Sequence, residues 1–512
     1  MSPALLGIDL GTSSVKVVVV DALSGVVVSA SATSYPVHHP EPGAAEQDPE
    51  AWWQATIAAV TTALERIATD VSIESIGLSG QMHGTVLIGV SGETVAPAII
   101  WSDTRSASSV RELTNDIGRE QVLAIAGSPL AAGFQAATIH WIQIHRPDLW
   151  NRTAQVLLPK DYLRYRLTGS FFTDPSDAAS TLLLDARTRD WSPELLKAAG
   201  VSRDHLPTVV PSTEITGELT ADAAKALGLP PGIAVVGGAG DAAAAAVGAG
   251  VVDASSLLLT LSTGAQALAP IATPEVDRRG RIHTFCSAFE PGGDAGGWNL
   301  MCATMSAGLA LRWLREELFQ ISPDAGFDDI NAAASIPIGS NGLLFLPYLS
   351  GERTPHMNAN ARGLFTGLGP EHQRAHLTRA VMEGVAMALY DAFYVVRDMG
   401  AKPDRIVLAG GGSRSRLWRQ IIADLFGLPL YPLAIDEQSA YGAAILAAPA
   451  SGISSADRAR AWARYDAPVE PDSRAHDRYQ ELQSLFRELY AVNISMFEQL
   501  ADWRANETGA AT

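Results

Sequence analysis

Residues 5–21 read LLGIDLGTSSVKVVVVD, a stretch that predicts a strand, a short turn and a second strand. Both flanking runs are rich in β-branched residues, and segment 11–14 supplies the small polar residues that a hairpin turn needs. The run GVVVSASATSYPV at 25–37 predicts a third strand, so the chain should open on a β-meander. Segment 50–69 contains neither Pro nor Gly and predicts a helix with apolar positions at Trp53, Ile57, Val60 and Leu64.

The strand–turn–strand pattern recurs at 255–271, SSLLLTLSTGAQALAPI, and residues 404–426 read as strand, glycine loop and helix. Short likenesses of this kind also arise by chance, but together they suggest two similar α/β domains with a boundary near residues 248–256. We expect a first domain at 1–250, a second at 251–450 and a C-terminal helical tail at 451–512. The tail is amphipathic over 475–505, with apolar positions at Leu482, Leu485, Phe486, Leu489, Ile494 and Phe497.

Composition excludes several classes of protein. The chain has 512 residues, of which 47% are hydrophobic and 18% charged, so it should be globular with more than one core. Its net charge of −18 argues against nucleic acid or an anionic membrane as a partner. The longest apolar runs are interrupted by Asp21, Asp241 and Asp253, and the N-terminus lacks the basic region of a signal peptide. A cytoplasmic protein is therefore expected, with Cys286 and Cys302 as buried reduced thiols.

Lysine is scarce, because only five of the 37 basic residues are Lys. None of the five follows a glycine, so the Gly-Lys-Ser/Thr phosphate loop is absent from the sequence. A polyphosphate ligand would have to be held by backbone N–H groups, hydroxyls, a helix N-terminus and a metal ion.

Two hairpin turns have the composition of phosphate sites. Asp9 ends the first strand and Gly11, Thr12 and Ser13 follow it, so a carboxylate suited to Mg²⁺ stands beside a glycine and two hydroxyls. Read alone, this stretch is an ordinary hairpin. The second turn, formed by Ser262, Thr263 and Gly264, repeats this composition. The two turns together are more informative than either turn alone.

Asp241 is the candidate catalytic base. A buried strand at 233–236 leads into three glycines within the segment 237–240, and Asp241 then opens an alanine-rich helix. Its ordinary role would be an N-cap. The glycines, however, clear space for a ligand, and the carboxylate could accept a proton from a substrate hydroxyl. We expect the helix N-terminus to favour its ionised form, which makes it a weak base.

Three further segments are candidates for ligand contacts. The segment Gly410-Gly411-Gly412-Ser413 follows a strand and opens a helix, which suits a nucleotide. Trp101 and Asp103 offer a stacking wall and a hydroxyl acceptor, although a surface Asp–Arg pair is equally consistent with this segment. The turn GLSGQMHGTV at 77–86 presents Met82 and His83 between glycines, where a lone histidine is more often a core residue.

Taken together, these motifs resemble the FGGY family of carbohydrate kinases, and within it the xylulokinase branch. The motifs occur in family order over almost the whole chain. They are GIDLGTSSVK, GLSGQMHGTV, IIWSDTR, GGAGDAAAAAVGAG, LSTGAQ, PYLSGERTPHMNANARG and AGGGSRSRLWRQIIADLFGLPL.

The resemblance implies two ribonuclease H-like (actin-like ATPase) α/β domains with a catalytic cleft between them. It implies phosphorylation of the terminal C5 hydroxyl of D-xylulose by ATP with Mg²⁺, giving D-xylulose 5-phosphate and ADP. A homodimer is expected at the family level only. The implied roles are Asp241 as base and sugar contact, Asp9 as catalytic carboxylate and metal ligand, Met82, His83, Trp101 and Asp103 as sugar contacts, and Gly11, Thr12, Ser13, Ser262, Thr263, Gly264, Gly410, Gly411 and Ser415 as nucleotide contacts.

Alternatives remain open at this stage. Ser102 stands where the family more often has Asn, and the second turn reads STGAQ where GTSG is common, so another sugar or polyol is a competing substrate. The candidates are ribulose, xylitol, erythritol and gluconate. An actin- or chaperone-type ATPase would also use duplicated hairpins, but it would not need the QMHG turn or the glycine-backed Asp241. The resemblance assigns no role to Glu352, Arg353 and His356.

Overall fold

The computed structural model describes residues 2–67, 71–326, 328–448 and 453–507, which form an α/β protein. The strands are β1 (Ser2–Leu10), β2 (Ser14–Asp21), β3 (Val27–Ser34), β4 (Glu46–Gln47), β5 (Val71–Gly80), β6 (Val86–Gly89), β7 (Ala98–Ile99), β8 (Thr153–Leu157), β9 (Phe172–Thr173), β10 (Leu184–Asp185), β11 (Asp190–Trp191), β12 (Thr208–Val209), β13 (Ile215–Glu218), β14 (Ala234–Val236), β15 (Ala239–Gly240), β16 (Ser256–Leu261), β17 (Ala265–Ile271), β18 (His283–Cys286), β19 (Trp298–Thr304), β20 (Leu344–Leu346), β21 (Leu364–Thr366), β22 (Arg405–Ala409) and β23 (Leu430–Pro432).

The helices are α1 (Pro49–Glu65), α2 (Ala107–Ile117), α3 (Arg119–Ala126), α4 (Gln135–His145), α5 (Pro147–Trp150), α6 (Pro159–Thr168), α7 (Pro175–Ala178), α8 (Pro193–Ala198), α9 (Ala221–Leu227), α10 (Asp241–Gly248), α11 (Gly308–Trp313), α12 (Asp328–Ala333), α13 (Arg374–Asp398), α14 (Arg416–Phe426), α15 (Gln438–Ala447), α16 (Ser455–Trp462) and α17 (Ser473–Glu507). Short 3₁₀ or π segments lie at Ala179–Thr181, Arg203–His205, Leu314–Leu318, Ser340–Gly342 and Gly411–Arg414.

The chain divides into two compact units. Unit 1 contains Met1–Asp253, Pro270–Leu300 and Glu437–Ala463. Unit 2 contains Ala254–Ala269, Met301–Asp436 and Arg464–Thr512. The sequence-based division into 1–250, 251–450 and 451–512 stays a prediction.

The two units repeat one sheet topology, as the duplicated hairpins predicted. In unit 1, neighbouring strands run in the order β3-β2-β1-β5-β14, with β1 antiparallel to β2 and parallel to β5. In unit 2, the order is β19-β17-β16-β22-β23, with β16 antiparallel to β17 and parallel to β22. Each unit therefore begins with an antiparallel hairpin and continues with parallel strands, so the side chains that follow β1 and β16 occupy equivalent places in the two units.

Helix α1 confirms the predicted helix, but its buried stripe differs from the predicted one. Asp48 caps its N-terminus by accepting the Glu50 N–H at 2.9 Å. The residues with no exposed area are small except for Trp52, and they let the helix approach the sheet closely. They are Trp52, Thr56, Ala59, Val60 and Ala63, whereas the predicted Ile57 and Leu64 are only partly buried. The predicted end of this helix at 68–69 lies outside the described residues.

Helix α17 covers the predicted amphipathic segment 475–505, and its buried residues again differ from the predicted ones. The predicted positions Leu485 and Ile494 are 53% and 37% exposed. The seam is formed by residues of mixed polarity because two tyrosines and a glutamine find hydrogen-bond partners in unit 2. Its buried members are Ala475, Tyr479, Gln483, Phe486, Tyr490 and Phe497.

Candidate active site

The first hairpin turn is held by side chains that reach it from other segments of unit 1. The Gly11 N–H donates to the Ser14 carbonyl at 3.0 Å, which closes the turn. Trp101 donates from Nε1 to Thr12 Oγ1 at 2.9 Å, and Gln47 donates from Nε2 to the Thr12 carbonyl at 2.7 Å. The predicted contacts Thr12 and Trp101 are therefore direct neighbours, although they lie far apart in sequence.

Asp9 is a buried carboxylate at the base of this turn. It is 8% exposed, and its Oδ1 accepts the Ser79 hydroxyl at 2.8 Å. Burial raises the pKa of Asp9 to about 6, against the opposing effects of the Ser79 hydrogen bond and the Lys16 charge. At neutral pH the group is mostly ionised, as a metal ligand must be.

Asp241 is the first residue of α10, one position after the N-cap residue Gly240. Loss of hydration, and then the Asp9 charge, raise its pKa to about 7. These effects outweigh the hydrogen bond from the Ala242 N–H at the start of the helix, which lowers the pKa. The expectation that the helix would make Asp241 a weak base is therefore wrong, because a carboxyl with this pKa takes up a proton readily near neutral pH.

The predicted turn at Met82 and His83 lies beside the loop of Asp241. A Cβ atom on Gly240 would stand only 3.1 Å from Met82 Cγ, so this glycine permits the close approach. Parallel pairing of β15 with β5 fixes the two segments side by side, with Ala239 opposite Ser79 and Gly240 opposite Gly80. The structure thus brings together the first hairpin, the Met82 turn and Asp241 within unit 1.

His83 makes two hydrogen bonds to Ser180. The His83 N–H donates to Ser180 Oγ at 3.1 Å, and its Nδ1 lies 2.8 Å from the Ser180 carbonyl. Since a carbonyl can only accept, Nδ1 carries the proton, so Nε2 is an acceptor whenever the ring is neutral. The ring stacks on Phe134 with centroids 3.6 Å apart, and the backbone has φ 74.

Asp103 is buried and hydrogen-bonded to neighbouring residues, and its predicted contact with the sugar stays a prediction. It is 2% exposed; Oδ2 accepts the Ala45 N–H and the Arg105 Nε–H, both at 2.9 Å. The sequence left open whether Asp103 and Arg105 form a pair. The structure contains this pair, with Asp103 buried. Trp101 is 39% exposed and keeps a surface for a ligand.

The second hairpin turn lies in unit 2 with its two hydroxyl residues exposed. The Thr263 carbonyl accepts the Ala307 N–H at 3.0 Å and the Leu309 N–H at 2.9 Å. Gly264 packs against the Thr304 carbonyl, where a Cβ atom would be 2.6 Å from the oxygen. The turn is thus fixed through its carbonyls, while Ser262 and Thr263 are exposed and the Ser262 hydroxyl donates to the Gly264 carbonyl at 3.2 Å.

The predicted nucleotide segment lies next to this turn in unit 2. Gly410 has φ 84, and a side chain there would collide with the backbone of Leu261, the residue before the turn. Gly411 begins the following 3₁₀ turn. Ser415 caps α14 by accepting the Trp418 N–H at 3.3 Å. Gly410 therefore lies against the residue that precedes Ser262, and Gly411 and Ser415 follow it in the chain.

Glu352 hydrogen-bonds to the segment that holds the second hairpin turn. Its Oε1 accepts the Met305 N–H at 2.8 Å and the Arg353 N–H at 2.7 Å. Burial raises its pKa to about 7. His356 lies away from this contact: it meets the Tyr348 hydroxyl at 3.0 Å and stacks on Tyr490, and burial lowers its pKa to about 4.

Sequence reasoning missed two groups that face the first hairpin. Lys16 pairs with Asp9 across β1 and β2 and forms an ion pair with Glu437 at 2.7 Å. The search for a lysine after glycine overlooked it, although the hairpin register would have placed it opposite Asp9. Gln81 donates to Gln47 Oε1 at 2.9 Å and so links the Met82 turn to the first hairpin. No local pattern signals that contact.

The residues present fit a Mg²⁺ ion whose ligands come largely from the substrate. Among the described residues no group of three or more His, Cys, Asp or Glu side chains could form a protein cage for a metal. Mg²⁺ typically uses one or two carboxylates together with phosphate oxygens and water. Asp9 is such a carboxylate, and a cation would offset the loss of hydration that raises its pKa.

Two family models match the chain. The N-terminal domain of the FGGY family of carbohydrate kinases matches residues 4–248, and the C-terminal domain of that family matches residues 258–451. The chain belongs to the FGGY family of carbohydrate kinases. It is a carbohydrate kinase, a phosphotransferase with an alcohol group as acceptor.

Relatives within the FGGY family include enzymes named for different sugars. The xylulose kinase of Escherichia coli K12 is 40% identical over 494 residues, covering 95% of this chain and 98% of the relative. The solved xylulose kinase of Rhodospirillum rubrum superimposes with a TM-score of 0.88 at 30% identity, covering 97% and 100% of the two chains. The gluconate kinase of Lactobacillus acidophilus superimposes with a TM-score of 0.91 at 27% identity, covering 98% and 100%.

Within the ranges that the structure describes, no helix has the length and apolar character needed to cross a membrane. The cytoplasmic location and the homodimer expected from the sequence stay predictions.

Proposed function

We propose that this FGGY kinase transfers the terminal phosphoryl group of ATP to the C5 hydroxyl of D-xylulose. The observation that carries the proposal is the likeness to xylulose kinases, 40% identical over 494 residues in the E. coli relative, together with the carboxyl of Asp241 beside the Met82 turn. The products are D-xylulose 5-phosphate and ADP.

Asp241 is the proposed general base. Its carboxylate accepts the proton of the sugar hydroxyl while that oxygen bonds to the terminal phosphorus and the bond from this phosphorus to the bridging oxygen of ADP breaks. The pKa of about 7 supports this role, because a base is most effective when its pKa lies near the working pH. Phosphoryl transfer otherwise depends mainly on positioning and on charge stabilisation.

The other roles divide between the units. In unit 1, Met82 offers an apolar wall, His83 Nε2 accepts a sugar hydroxyl, and the exposed Trp101 ring forms a further surface for the sugar. Asp103 is proposed to hold the Trp101 segment, because Arg105 and Ala45 already use its oxygens.

Phosphates would be bound by exposed hydroxyls and by backbone N–H groups. The Gly11, Thr12 and Ser13 turn serves this purpose in unit 1, and the Ser262, Thr263 and Gly264 turn serves it in unit 2. Gly410, Gly411 and Ser415 border the nucleotide. Asp9 would hold Mg²⁺, which when bound neutralises negative charge on the phosphates.

Gluconate is the second candidate substrate, because the gluconate kinase of L. acidophilus superimposes as well as the xylulose kinases do. A neutral ketose and a sugar acid differ by a carboxylate. The carboxyl groups of Asp9 and Asp241 make the Met82 region unfavourable for the carboxylate of gluconate, which favours the neutral sugar.

The test is ADP release measured with D-xylulose, D-ribulose, xylitol, erythritol and gluconate as acceptors. We expect D-xylulose to give the highest kcat/KM, and a higher value for any other acceptor would reject the substrate assignment. Asp241→Asn should lower kcat at least about 100-fold with little change in ATP binding. Near-normal turnover of this variant would remove Asp241 from the role of base.

A further inference from the structure

Segment 174–180, which we call the support segment, runs behind the Asp241 loop and the His83 turn and contacts both. It consists of Asp174, α7 and the start of the 3₁₀ segment Ala179–Thr181, and all seven residues are buried. Neither the sequence motifs nor the proposed catalytic roles account for it. Its sequence, DPSDAAS, places a serine at each end of a single helical turn.

The support segment is anchored by buried charges. Lys160 has no exposed area, and its Nζ lies 2.5 Å from Asp161 Oδ1, 3.0 Å from Asp174 Oδ1 and 3.7 Å from Asp177 Oδ2. Arg164 pairs with Asp161 at 2.6 Å and donates to the Gly237 carbonyl. Fully buried ions persist only where partners fix their geometry, so this cluster holds the support segment in one position.

Ser176 connects the anchor to the loop of Asp241. Asp174 Oδ2 accepts the Ser176 hydroxyl at 2.5 Å and the Ser176 N–H at 2.9 Å. The Ser176 oxygen in turn accepts the N–H of Gly240 at 3.1 Å. Gly240 is the residue before Asp241, so this bond fixes the backbone from which the carboxylate projects.

Ser180 makes the matching connection to His83. Its hydroxyl accepts the His83 N–H, and its carbonyl accepts the Nδ1 proton. The two serines lie on one buried turn, so the positions of the base and of the imidazole are set by one element rather than by two independent loops.

We propose that Ser176 and Ser180 are positioning residues with separable effects, Ser176 acting on Asp241 and Ser180 acting on His83. The inference rests on the proposed roles of Asp241 and His83. Ser176 should therefore affect kcat, because a base displaced by a fraction of an ångström transfers a proton poorly. Ser180 should affect the KM for the sugar, because the His83 backbone N–H loses its hydroxyl acceptor and the residue that carries the imidazole is then held less firmly.

Ser212 provides a matched control. It is 2% exposed, and like Ser176 its hydroxyl donates to Asp174 Oδ2, at 3.2 Å. Ser176 Oγ also accepts the Gly240 N–H, whereas the Ser212 hydroxyl is bonded to Asp174. Ser212→Ala therefore removes a buried hydroxyl from the same carboxylate while the bond from Gly240 to Ser176 stays intact.

The experiment measures kcat, both KM values and thermal stability for Ser176→Ala, Ser180→Ala and Ser212→Ala. We expect Ser176→Ala to lower kcat about 10-fold with an unchanged KM for ATP, and Ser180→Ala to raise the KM for sugar about 5-fold with a smaller change in kcat. Ser212→Ala should stay within about twofold of the parent in all three constants. Ser176→Cys, which keeps the size and a weak acceptor, should give a kcat between those of Ser176→Ala and the parent.

Equal kinetic effects of Ser176→Ala and Ser212→Ala would overturn the inference, since the loss would then follow from disturbing Asp174. A uniform change in kcat and both KM values for Ser176→Ala and Ser180→Ala would also overturn it. If Ser176→Ala does not fold, the Ser176→Cys and Ser212→Ala pair decides in the same way. Asp241→Asn is assayed alongside: normal turnover there removes the proposed base, whereas normal turnover of Ser176→Ala with an inactive Asp241→Asn removes only this inference.

Discussion

At the scale of single residues, the protonation of Asp241 should govern how activity depends on pH. Burial and the Asp9 charge raise its pKa to about 7, and Asp177 is a further carboxyl that interacts with it. Below that pH the group is protonated and cannot accept the sugar proton. We therefore expect kcat/KM for the sugar to fall about tenfold per pH unit below about pH 7 and to level off above it.

The profile is measured from pH 5 to 9 at saturating ATP. Below pH 6 the slope should steepen, because the pKa of Asp9 is about 6 and its carboxylate is also required. A flat profile between pH 5.5 and 8 would contradict the role of Asp241 as a base that titrates near neutrality.

His83 allows a second prediction at this scale. His83→Ala and His83→Asn both remove Nε2, so both should raise the KM for sugar about 10-fold while the KM for ATP changes little. Asn tolerates the positive φ of 74 and can still donate toward the Ser180 carbonyl, whereas Ala does neither. The Ala variant should therefore be the less stable of the two in thermal unfolding. Equal increases in the KM for sugar and the KM for ATP would show that His83 has a purely structural role.

At the scale of elements, the link from Glu352 to the second hairpin predicts a nucleotide defect. Glu352→Ala leaves the Met305 N–H without its acceptor, at a cost of about 1–3 kcal/mol. The segment 304–309 that holds the hairpin would then loosen. We expect the KM for ATP to rise about 10-fold and the KM for sugar to stay within about twofold.

Glu352→Gln is the matched control for this prediction. It keeps an oxygen at Oε1, and a neutral amide replaces a carboxyl whose pKa burial raises to about 7. Its KM for ATP should remain near that of the parent. A defect as large in Glu352→Gln as in Glu352→Ala would show that the charge matters, and not the bond to Met305.

Elements were predictable where the sequence pattern is local. The hairpins β1–β2 and β16–β17, the strand before Asp241 and the helix α14 follow from alternation, turn residues and caps within about 20 residues. The buried faces of α1 and α17 were less predictable, because Thr56, Tyr479 and Gln483 are buried through hydrogen bonds that periodicity does not reveal. The support segment was invisible, since its partners at 83, 160, 212 and 240 are brought close only by the fold.

At the scale of the whole molecule, the two similar hairpins in the sequence revealed that the sheet topology is duplicated. The sequence did not reveal the pKa of the carboxyl groups in the site. The sequence placed Asp241 at a helix N-terminus, where the dipole lowers a carboxyl pKa by a modest amount. The fold added the loss of hydration and the Asp9 charge, both of which act in the opposite direction, and the pKa of Asp241 rises to about 7. Spacing along the chain cannot reveal that balance, because it depends on the packing of unit 1 around both carboxyls.

The same balance predicts how the stability of the molecule depends on pH. An acid whose folded pKa is about 7 and whose ordinary value is 3.8 binds a proton in the folded state, and not in the unfolded state, between those two values. Stability from this group therefore falls as pH rises from about 4 to 7 and is lowest above pH 7. Asp241→Asn removes the free-energy cost of ionising this buried carboxyl, so it should stabilise the metal-free protein more at pH 8 than at pH 5. The difference between the two pH values should be up to about 2 kcal/mol, because the partial exposure of Asp241 makes the cost smaller than for a fully buried group. Thermal unfolding in EDTA at both pH values measures this difference, with Asp116→Asn as the same substitution at an exposed position. If Asp241→Asn destabilised the protein equally at both pH values, the carboxylate would be a structural group whose charge the fold accommodates, and the raised pKa on which the base mechanism depends would be wrong.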